Sequence, residues 1–428
     1  MLRFMKIHVD LDCFFVSAER TRDASLCGIP VAIGGRSDPY IFAHNSVEQH
    51  CDFDNRGAFL GAFFQHYDRS VGDLSKFTDA NGRIRGILTT ASYEARAYGI
   101  TTAMSIHEAL QRCPTLIIKS PNMKLYKELS HKLHHFLQHR IPLLEQASID
   151  EFYGDLEGWI ADEDVAAFID ALRHEIYDVL HLPVSIGASK SKSIAKLATS
   201  FSKPFGSKVI HPNEILSFIE PIAVGKFPGI GRSMQRQLSR YHIHTLGELV
   251  RAKTLLQGLS PYAATLYQKV TGSDSDGITP HRPRQSIGIS RAFDPIIDRS
   301  ELRRRITILS RHLAFAIMRL NVHPTTFRVG IHYEMSQHSH ATVTQYRLFH
   351  EQWFKAVVLS LFEQAEQYRR LHVIRLSISC SQFTCNSRRT LSLLDFTQDQ
   401  TLRQLSESTQ QMQQKYGLNI LRWGSELS

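Results

Sequence analysis

Two short acidic signals, far apart in the chain, constrain its fold more than any other feature. Near the start, Ile7, Val9 and Leu11 alternate with His8, Asp10 and Asp12, the period-two pattern of a half-buried strand. Both aspartates then share one face of that strand, with the carbonyl of Leu11 between them. Much later, Ser148-Ile149-Asp150-Glu151 separates two strand-like runs, one ending at Ile149 and one spanning about 152–156. Helical spacing of Leu125, Leu129, Leu133, Phe136 and Leu137 predicts a helix over about 123–140, and Val165, Phe168, Ile169, Leu172 and Ile176 predict another. Residues 183–188 read as a final strand. The order is strand, long interruption, helix, strand, strand, helix, strand. That is the split β-α-β order of a ferredoxin-like domain. In such a sheet the hairpin strand lies antiparallel to the first strand, which sets Asp150 and Glu151 beside Asp10.

Three carboxylates in one small patch repel one another, and without a cation at least one must hold a proton. Two Mg²⁺ ions make sense of the cluster, because Mg²⁺ takes carboxylate and backbone oxygens together with substrate phosphates. A pair of ions about 3.5–4 Å apart activates an attacking oxygen and stabilises a leaving one.

Charge along the chain points to a polyanion. The net charge is +9 over 428 residues, and residues 285–390 hold 15 Lys and Arg against 7 Asp and Glu, nearly the whole excess. Concentrated in one block, it reads as a small α+β domain gripping a phosphate backbone. Within that block helices are expected near 301–320 and 352–368, and strands at 326–333 and 372–380. The preceding stretch, Thr271-Gly272-Ser273-Asp274-Ser275-Asp276-Gly277 with Pro280 and Pro283, reads as a linker. Six scattered cysteines lack C-x-x-C spacing, which suits a reduced compartment. No apolar run reaches membrane-spanning length, and the N-terminal residues lack a signal peptide's apolar stretch.

Four ordered blocks carry a resemblance. Val9-Asp10-Leu11-Asp12-Cys13-Phe14-Phe15, Ala91-Ser92-Tyr93-Glu94-Ala95-Arg96, Ala147-Ser148-Ile149-Asp150-Glu151 and Gly187-Ala188-Ser189-Lys190-Ser191-Lys192 resemble the signature blocks of Y-family translesion DNA polymerases, in particular the bacterial DNA polymerase IV branch. The resemblance implies an α+β multidomain right hand: a ferredoxin-like palm (1–12 and 119–214), small fingers (13–118), a helical helix-hairpin-helix thumb (215–272), a linker (273–284), an α+β little finger (285–390) and a tail (391–428). It also implies template-directed addition of dNTPs to a primer 3′-hydroxyl on primer-template DNA, at low processivity and without proofreading. The implied metal ligands for two Mg²⁺ ions are Asp10, Asp150, Glu151 and the Leu11 carbonyl. Asp12 has no metal role in this scheme and orients the loop. Phe15 matches the steric gate that excludes ribose. Phe14 beside it is either a nucleotide contact or a core residue. Thr90, Tyr93, Arg96 and Lys203 match the triphosphate-binding positions. Phe227-Pro228-Gly229-Ile230-Gly231 resembles the start of a helix-hairpin-helix, with Gly229 and Gly231 as DNA contacts, and Arg291 is a further expected DNA contact. A monomer in the bacterial cytoplasm, associated with the nucleoid, follows by analogy.

The sequence departs from the family in several places. An insertion of about residues 36–85 separates Gly34-Gly35 from Gly86. It is rich in aromatic residues, including Tyr40, Phe42, Phe53, Phe63 and Phe77, and holds His44, His50, Cys51 and His66 in a spacing that fits no common zinc pattern. Its position suggests an ordered excursion lying on the fingers, near the nascent base pair. Ser92 replaces the usual Asn, Phe152 and Gly154 replace Ala and Leu, and Ile87 and Thr89 enlarge the roof over the incoming base. Residues 390–396 stand where the family often carries a sliding-clamp peptide, but without its Gln and adjacent Leu-Phe. Met5-Lys6-Ile7 resembles the usual family beginning, which makes Met5 an alternative start. Two other readings compete: a non-catalytic homologue acting as a DNA- and clamp-binding adaptor, and a palm-fold nucleotidyl cyclase. The retained carboxylates, Arg96 and Lys203 oppose the first. The thumb-like segment, the basic block and the lack of a Gly-Gly-Asp/Glu signature oppose the second.

Overall fold

The structure, a computed structural model, describes residues 5–35, 39–42, 77–78, 82–281, 283–384 and 395–426. In chain order its strands are β1 (Lys6–Leu11), β2 (Val31–Gly35), β3 (Ile87–Ala91), β4 (Ile117–Lys119), β5 (Leu143–Gln146), β6 (Glu151–Asp155), β7 (Val184–Ser189), β8 (Ser207–Ile210), β9 (Ser286–Ile296), β10 (Pro324–Tyr333), β11 (His338–Thr344) and β12 (Val373–Phe383). The His44, His50, Cys51 and His66 set and residues 390–394 lie outside the described residues.

The chain divides into two compact units, Met1–Gly35 with Ser70–His281, and Arg36–Arg69 with Arg282–Ser428. In the first, one sheet has the order β5-β6-β1-β7-β8. Its first four strands form the ferredoxin-like set that the sequence pattern predicts, and β8 adds a parallel edge beside β7. β1 runs antiparallel to both neighbours. The predicted helices are present as Met123–Gln138 and Val165–Leu180. A further helix, Lys192–Ser202, is capped by Ser191, whose hydroxyl accepts from the Ile194 N–H.

That last helix lies directly on the backbone of β7. A Cβ at Gly187 would stand 2.2 Å from the Ala195 carbonyl oxygen and 2.4 Å from the Thr199 nitrogen. The glycine of the Gly-Ala-Ser block is there because no side chain fits between strand and helix. Gly187 opposes His8 across the β1–β7 ladder, so the close approach also delivers Thr199 to His8, with Oγ1 3.0 Å from Nδ1.

A second, smaller sheet, β3-β2-β4, carries the Tyr93–Ala97 and Ile106–Arg112 helices. Ser92 caps the first of these: its hydroxyl accepts from Ala95 N–H and from Val31 N–H at 3.2 and 3.1 Å. Five short helices between Ile215 and Val270 share a core of their own with Leu238, Leu246, Leu249 and Leu266 fully or nearly fully buried.

The second unit is a sheet of order β11-β10-β12-β9 with helices Arg299–Arg319 and Glu351–Ala365 packed on it, followed by a terminal helix Phe396–Tyr416. Both predicted helices are present. Strands β9 and β11 add to the expected ones: β11 alternates exposed histidine and threonine with few large apolar residues, whereas β9 does alternate buried Ile287 and Ile289 with exposed Ser286, Gly288 and Ser290, over only five residues. Ile41 and Phe42, at the start of the insertion, are buried in this unit's core, whereas Phe77, near its end, is buried in the core around β3. The insertion therefore does not lie wholly on the fingers.

Replacing Gly187 by Ala should lower unfolding stability by at least about 2 kcal/mol, since backbone rather than a side chain must move. Urea unfolding followed by far-UV circular dichroism checks this.

Candidate active site

The site begins with strand register. Asp10 on β1 pairs directly with Glu151 on β6, and residues opposed across an antiparallel ladder point to the same face. The Leu11 N–H donates to the Asp150 carbonyl at 3.0 Å, fixing the strand end against the turn. Ser148 shapes that turn, its hydroxyl bonding the Asp150 carboxylate and accepting the Glu151 N–H at 3.1 Å. The sequence prediction that the three carboxylates gather holds.

Their charge states diverge. Burial raises Asp10 to about 7, against the pull of Lys203, with Glu151 and Asp150 adding to the rise. Burial raises Asp150 as well. Burial works the same way on Glu151, but hydrogen bonds and charge from His8 and Lys196 outweigh it and hold Glu151 at about 2. Lys196 Nζ lies 2.7 and 2.6 Å from the two Glu151 oxygens, and Lys203 Nζ pairs with Asp10. Two lysines of one helix and its end thus balance the cluster.

This donor set fits a hard divalent cation: Asp10, Asp150, Glu151 and the Leu11 carbonyl offer oxygens at one strand end. His8 joins the group, with one ligand atom each from His8, Asp10 and Glu151 within 4.8 Å of one another.

Asp12 faces the loops instead. Fully buried, it accepts hydrogen bonds from Tyr93 Oη at 3.1 Å, Ser185 Oγ at 2.8 Å and the Phe205 N–H at 2.6 Å. The orienting role expected for it is what the geometry shows. Tyr93 is held upright by this bond, and its ring lies 4.8 Å from the Arg96 guanidinium. Arg96 is exposed, its Nε donating to the Ala91 carbonyl at 3.0 Å. Thr90 is buried on β3 opposite Ile33.

Phe14 and Phe15 open a helix, Phe14–Arg20. Phe14 is 3% exposed, as the core reading of the two has it, whereas Phe15 is half-buried. The Phe15 ring stacks on Tyr126, centroids 4.4 Å apart and planes 11° apart. Tyr126 in turn donates to Glu19 at 2.9 Å. Gly229 has φ +100°, open to glycine and strained for other residues, and Gly231 is exposed as the N-cap of the helix Arg232–Ser239. Arg291 opposes the fully buried Leu376, so it shares the covered face of its sheet. Arg328 and Arg375 are exposed on the other face.

His8, Lys196, Ser148 and Tyr126 are site residues that the sequence patterns do not single out. The signal for two of them is present: His8 alternates in phase with Asp10, and Lys196 follows Lys192 by one helical turn.

Comparison with known proteins agrees with this geometry. The sequence model of the impB/mucB/samB family matches residues 9–200, that of its C-terminal domain residues 284–393, and that of the IMS family HHH motif residues 212–243. DNA polymerase IV of Glaesserella parasuis serovar 5 is 30% identical over 317 residues, covering 73% of this chain and 76% of the relative. DNA polymerase IV of Pasteurella multocida is 27% identical over 389 residues, 88% of this chain and 96% of the relative. This chain belongs to the Y family of DNA polymerases. Its fold is similar to that of a solved Y-family DNA polymerase chimera, with TM-score 0.69 and 21% identity over 89% of this chain and 100% of the other. An insertion ternary complex of Dbh DNA polymerase matches with TM-score 0.54 and 20% identity, over the same shares. No helix among the described residues is long and apolar enough to cross a membrane.

One pH effect of this Y-family site follows from His8. Its burial lowers it from 6.5 to about 4, so between those values the unfolded chain binds a proton that the folded chain does not. The contribution is fully present above pH 6.5 and is lost as pH falls toward 4. Asp10, raised from 3.8 to about 7, works the opposite way over nearly the same window and offsets the His8 effect in the total. The His8 part is read by difference: on going from pH 6.5 to 4, urea titrations should show His8→Gln gaining stability relative to wild type by on the order of 3 kcal/mol.

Proposed function

We propose that this protein extends primer 3′-hydroxyl ends with deoxynucleotides opposite undamaged and damaged template bases, by two-metal phosphoryl transfer, distributively and without proofreading. The observation that carries the reading is the register pairing of Asp10 with Glu151 beside Asp150, in a chain that also holds Tyr93, Arg96 and Lys203 near that strand end.

Two Mg²⁺ ions, when bound by Asp10, Asp150, Glu151 and the Leu11 carbonyl, would supply Lewis-acid activation of the 3′-hydroxyl and neutralise phosphate charge. The chain's own groups do the positioning. Arg96 offers a planar fork to phosphate oxygens and Lys203 a point charge. Tyr93 supports Arg96 and is itself anchored by Asp12. Phe15, backed by Tyr126, presents a ring face that excludes a ribose 2′-hydroxyl. Thr90 supplies a hydroxyl from the neighbouring strand.

The palm, fingers, thumb and little finger take the boundaries given above, except that Ile41 and Phe42, within 13–118, belong with the little finger. Gly229 and Gly231 let backbone N–H groups approach a DNA phosphate. Arg328 and Arg375, rather than Arg291, face the duplex from the little-finger sheet. Such contacts predict weak sequence preference and steep salt dependence. We assign a monomer working in the bacterial cytoplasm near the nucleoid, with the sliding clamp as a partner of the C-terminal region.

Primer extension with Mg²⁺ and dNTPs tests the reading. Wild type should extend distributively, and Asp150→Ala with Glu151→Ala should lose at least about a thousandfold in rate while still binding primer-template. Phe15→Ala should reduce discrimination against ribonucleotides by about 100-fold, read from single-nucleotide kcat/KM ratios. Extension that survives the double carboxylate change would overturn the assignment.

A further inference from the structure

The insertion has one described end in each unit, and the end at Ile41–Phe42 is built into a specific seat. The short turn Pro39–Phe42 brings Ile41 to 3% and Phe42 to 7% exposure within the second unit's hydrophobic core. The Phe42 ring meets Phe293 of β9 edge-on, centroids 5.8 Å apart. The Arg305 guanidinium lies over both rings, 4.6 Å from Phe42 and 4.7 Å from Phe293. Arg305 is itself held by Glu301 at 2.5 Å. Beside it, the buried Arg304 donates to the Phe42 carbonyl at 3.0 Å, to the Glu426 carbonyl at 3.4 Å and to Glu301 at 2.6 Å.

Each feature of this contact is more than apolar adhesion. A guanidinium over two ring faces adds an electrostatic attraction that a purely apolar seat lacks. A buried arginine that bonds the Phe42 backbone reads the path of the chain as well as its side chain. The other end of the insertion is equally committed: Phe77 is buried around β3, and its carbonyl accepts the Arg85 N–H at 2.6 Å. The chain accordingly passes between the two units at 35/36, at 69/70 and at 281/282.

We propose that Phe293, Arg304 and Arg305 form a socket on the little finger whose occupant is the Ile41–Phe42 plug, making the insertion a second covalent tie between the fingers and the little finger. A little finger attached only through residues 273–284 is free over the reach of that linker. With the plug seated, only residues 36–40 separate the end of β2 from the socket, a stretch that reaches about 20 Å at most. The tie raises the local concentration of the little finger at the polymerase body, as any short second linkage does. This inference goes beyond the polymerase reading and stands on the plug contacts alone.

The test uses the full chain and two readouts. Amide hydrogen exchange should show slow exchange at Ile41 and Phe42 in the wild type, and about tenfold or greater acceleration there in Phe42→Ser and in Arg305→Leu. Small-angle X-ray scattering without DNA should show a larger maximum dimension for both variants than for wild type. Arg305→Leu keeps the claim falsifiable where Phe42→Ser fails to fold, because it alters one exposed-side cation and leaves the core filled. Fast exchange at Ile41–Phe42 in the wild type overturns the proposal. So does unchanged scattering in a folded variant whose plug has demonstrably exchanged.

Discussion

Everything at this site depends on holding like charges together. Asp10, Asp150 and Glu151 converge because the β1–β6 ladder opposes Asp10 to Glu151, and backbone register is far stiffer than the Coulomb repulsion it must withstand. The protein divides the burden unevenly. Glu151 is stabilised as an anion by Lys196, whereas Asp10 sits where burial favours its protonated form despite Lys203. A site prepared in this way has a standing demand for positive charge at one strand end. Divalent ions carrying a triphosphate are a natural answer to it.

The surrounding elements can be understood as the supports of that arrangement. Gly187 lets the Lys192–Ser202 helix come close enough for Lys196 to reach Glu151 across the sheet. Asp12 ties Tyr93, Ser185 and the loop at Phe205 to one carboxylate, so Tyr93 and the loop carrying Lys203 share an anchor. Phe15 is backed by Tyr126 and, through Glu19, reaches Lys119 at 3.5 Å.

Much of this was legible in the chain. Alternation at Ile7–Leu11 and helical spacing at Leu125–Leu137 reflect one-sided burial, which leaves a periodic trace, and the topology followed from their order. The carboxylates were legible because topology alone brings them together. What escaped had no periodic trace. β11 alternates small polar residues with few large apolar ones, so one face lacks contrast, and the alternation in β9 runs for only five residues. Two adjacent phenylalanines carry no period, so nothing at Phe14 and Phe15 announces the helix that begins there. Arg291, an expected DNA contact, opposes Leu376 across the β9–β12 ladder and so shares the covered face of its sheet, a placement that only the strand register gives. The Phe42 seat depends on Arg304 and Phe293, more than 250 positions away in sequence, and no local pattern encodes such a pairing.

That separation has a consequence for how the molecule is made. Phe42 is synthesised 262 positions before Arg304. At elongation rates of about 5–20 residues per second the plug leaves the ribosome roughly 10–50 s before its socket exists. Throughout that interval the body containing the palm can close, while an isoleucine and a phenylalanine remain without their partners. The second unit cannot finish its core until the early segment returns to it, a loop closure of unusual length. The strap is thus a timing constraint on biogenesis as well as a mechanical one, and nascent chains stalled before Phe293 are the species most exposed to aggregation or chaperone capture.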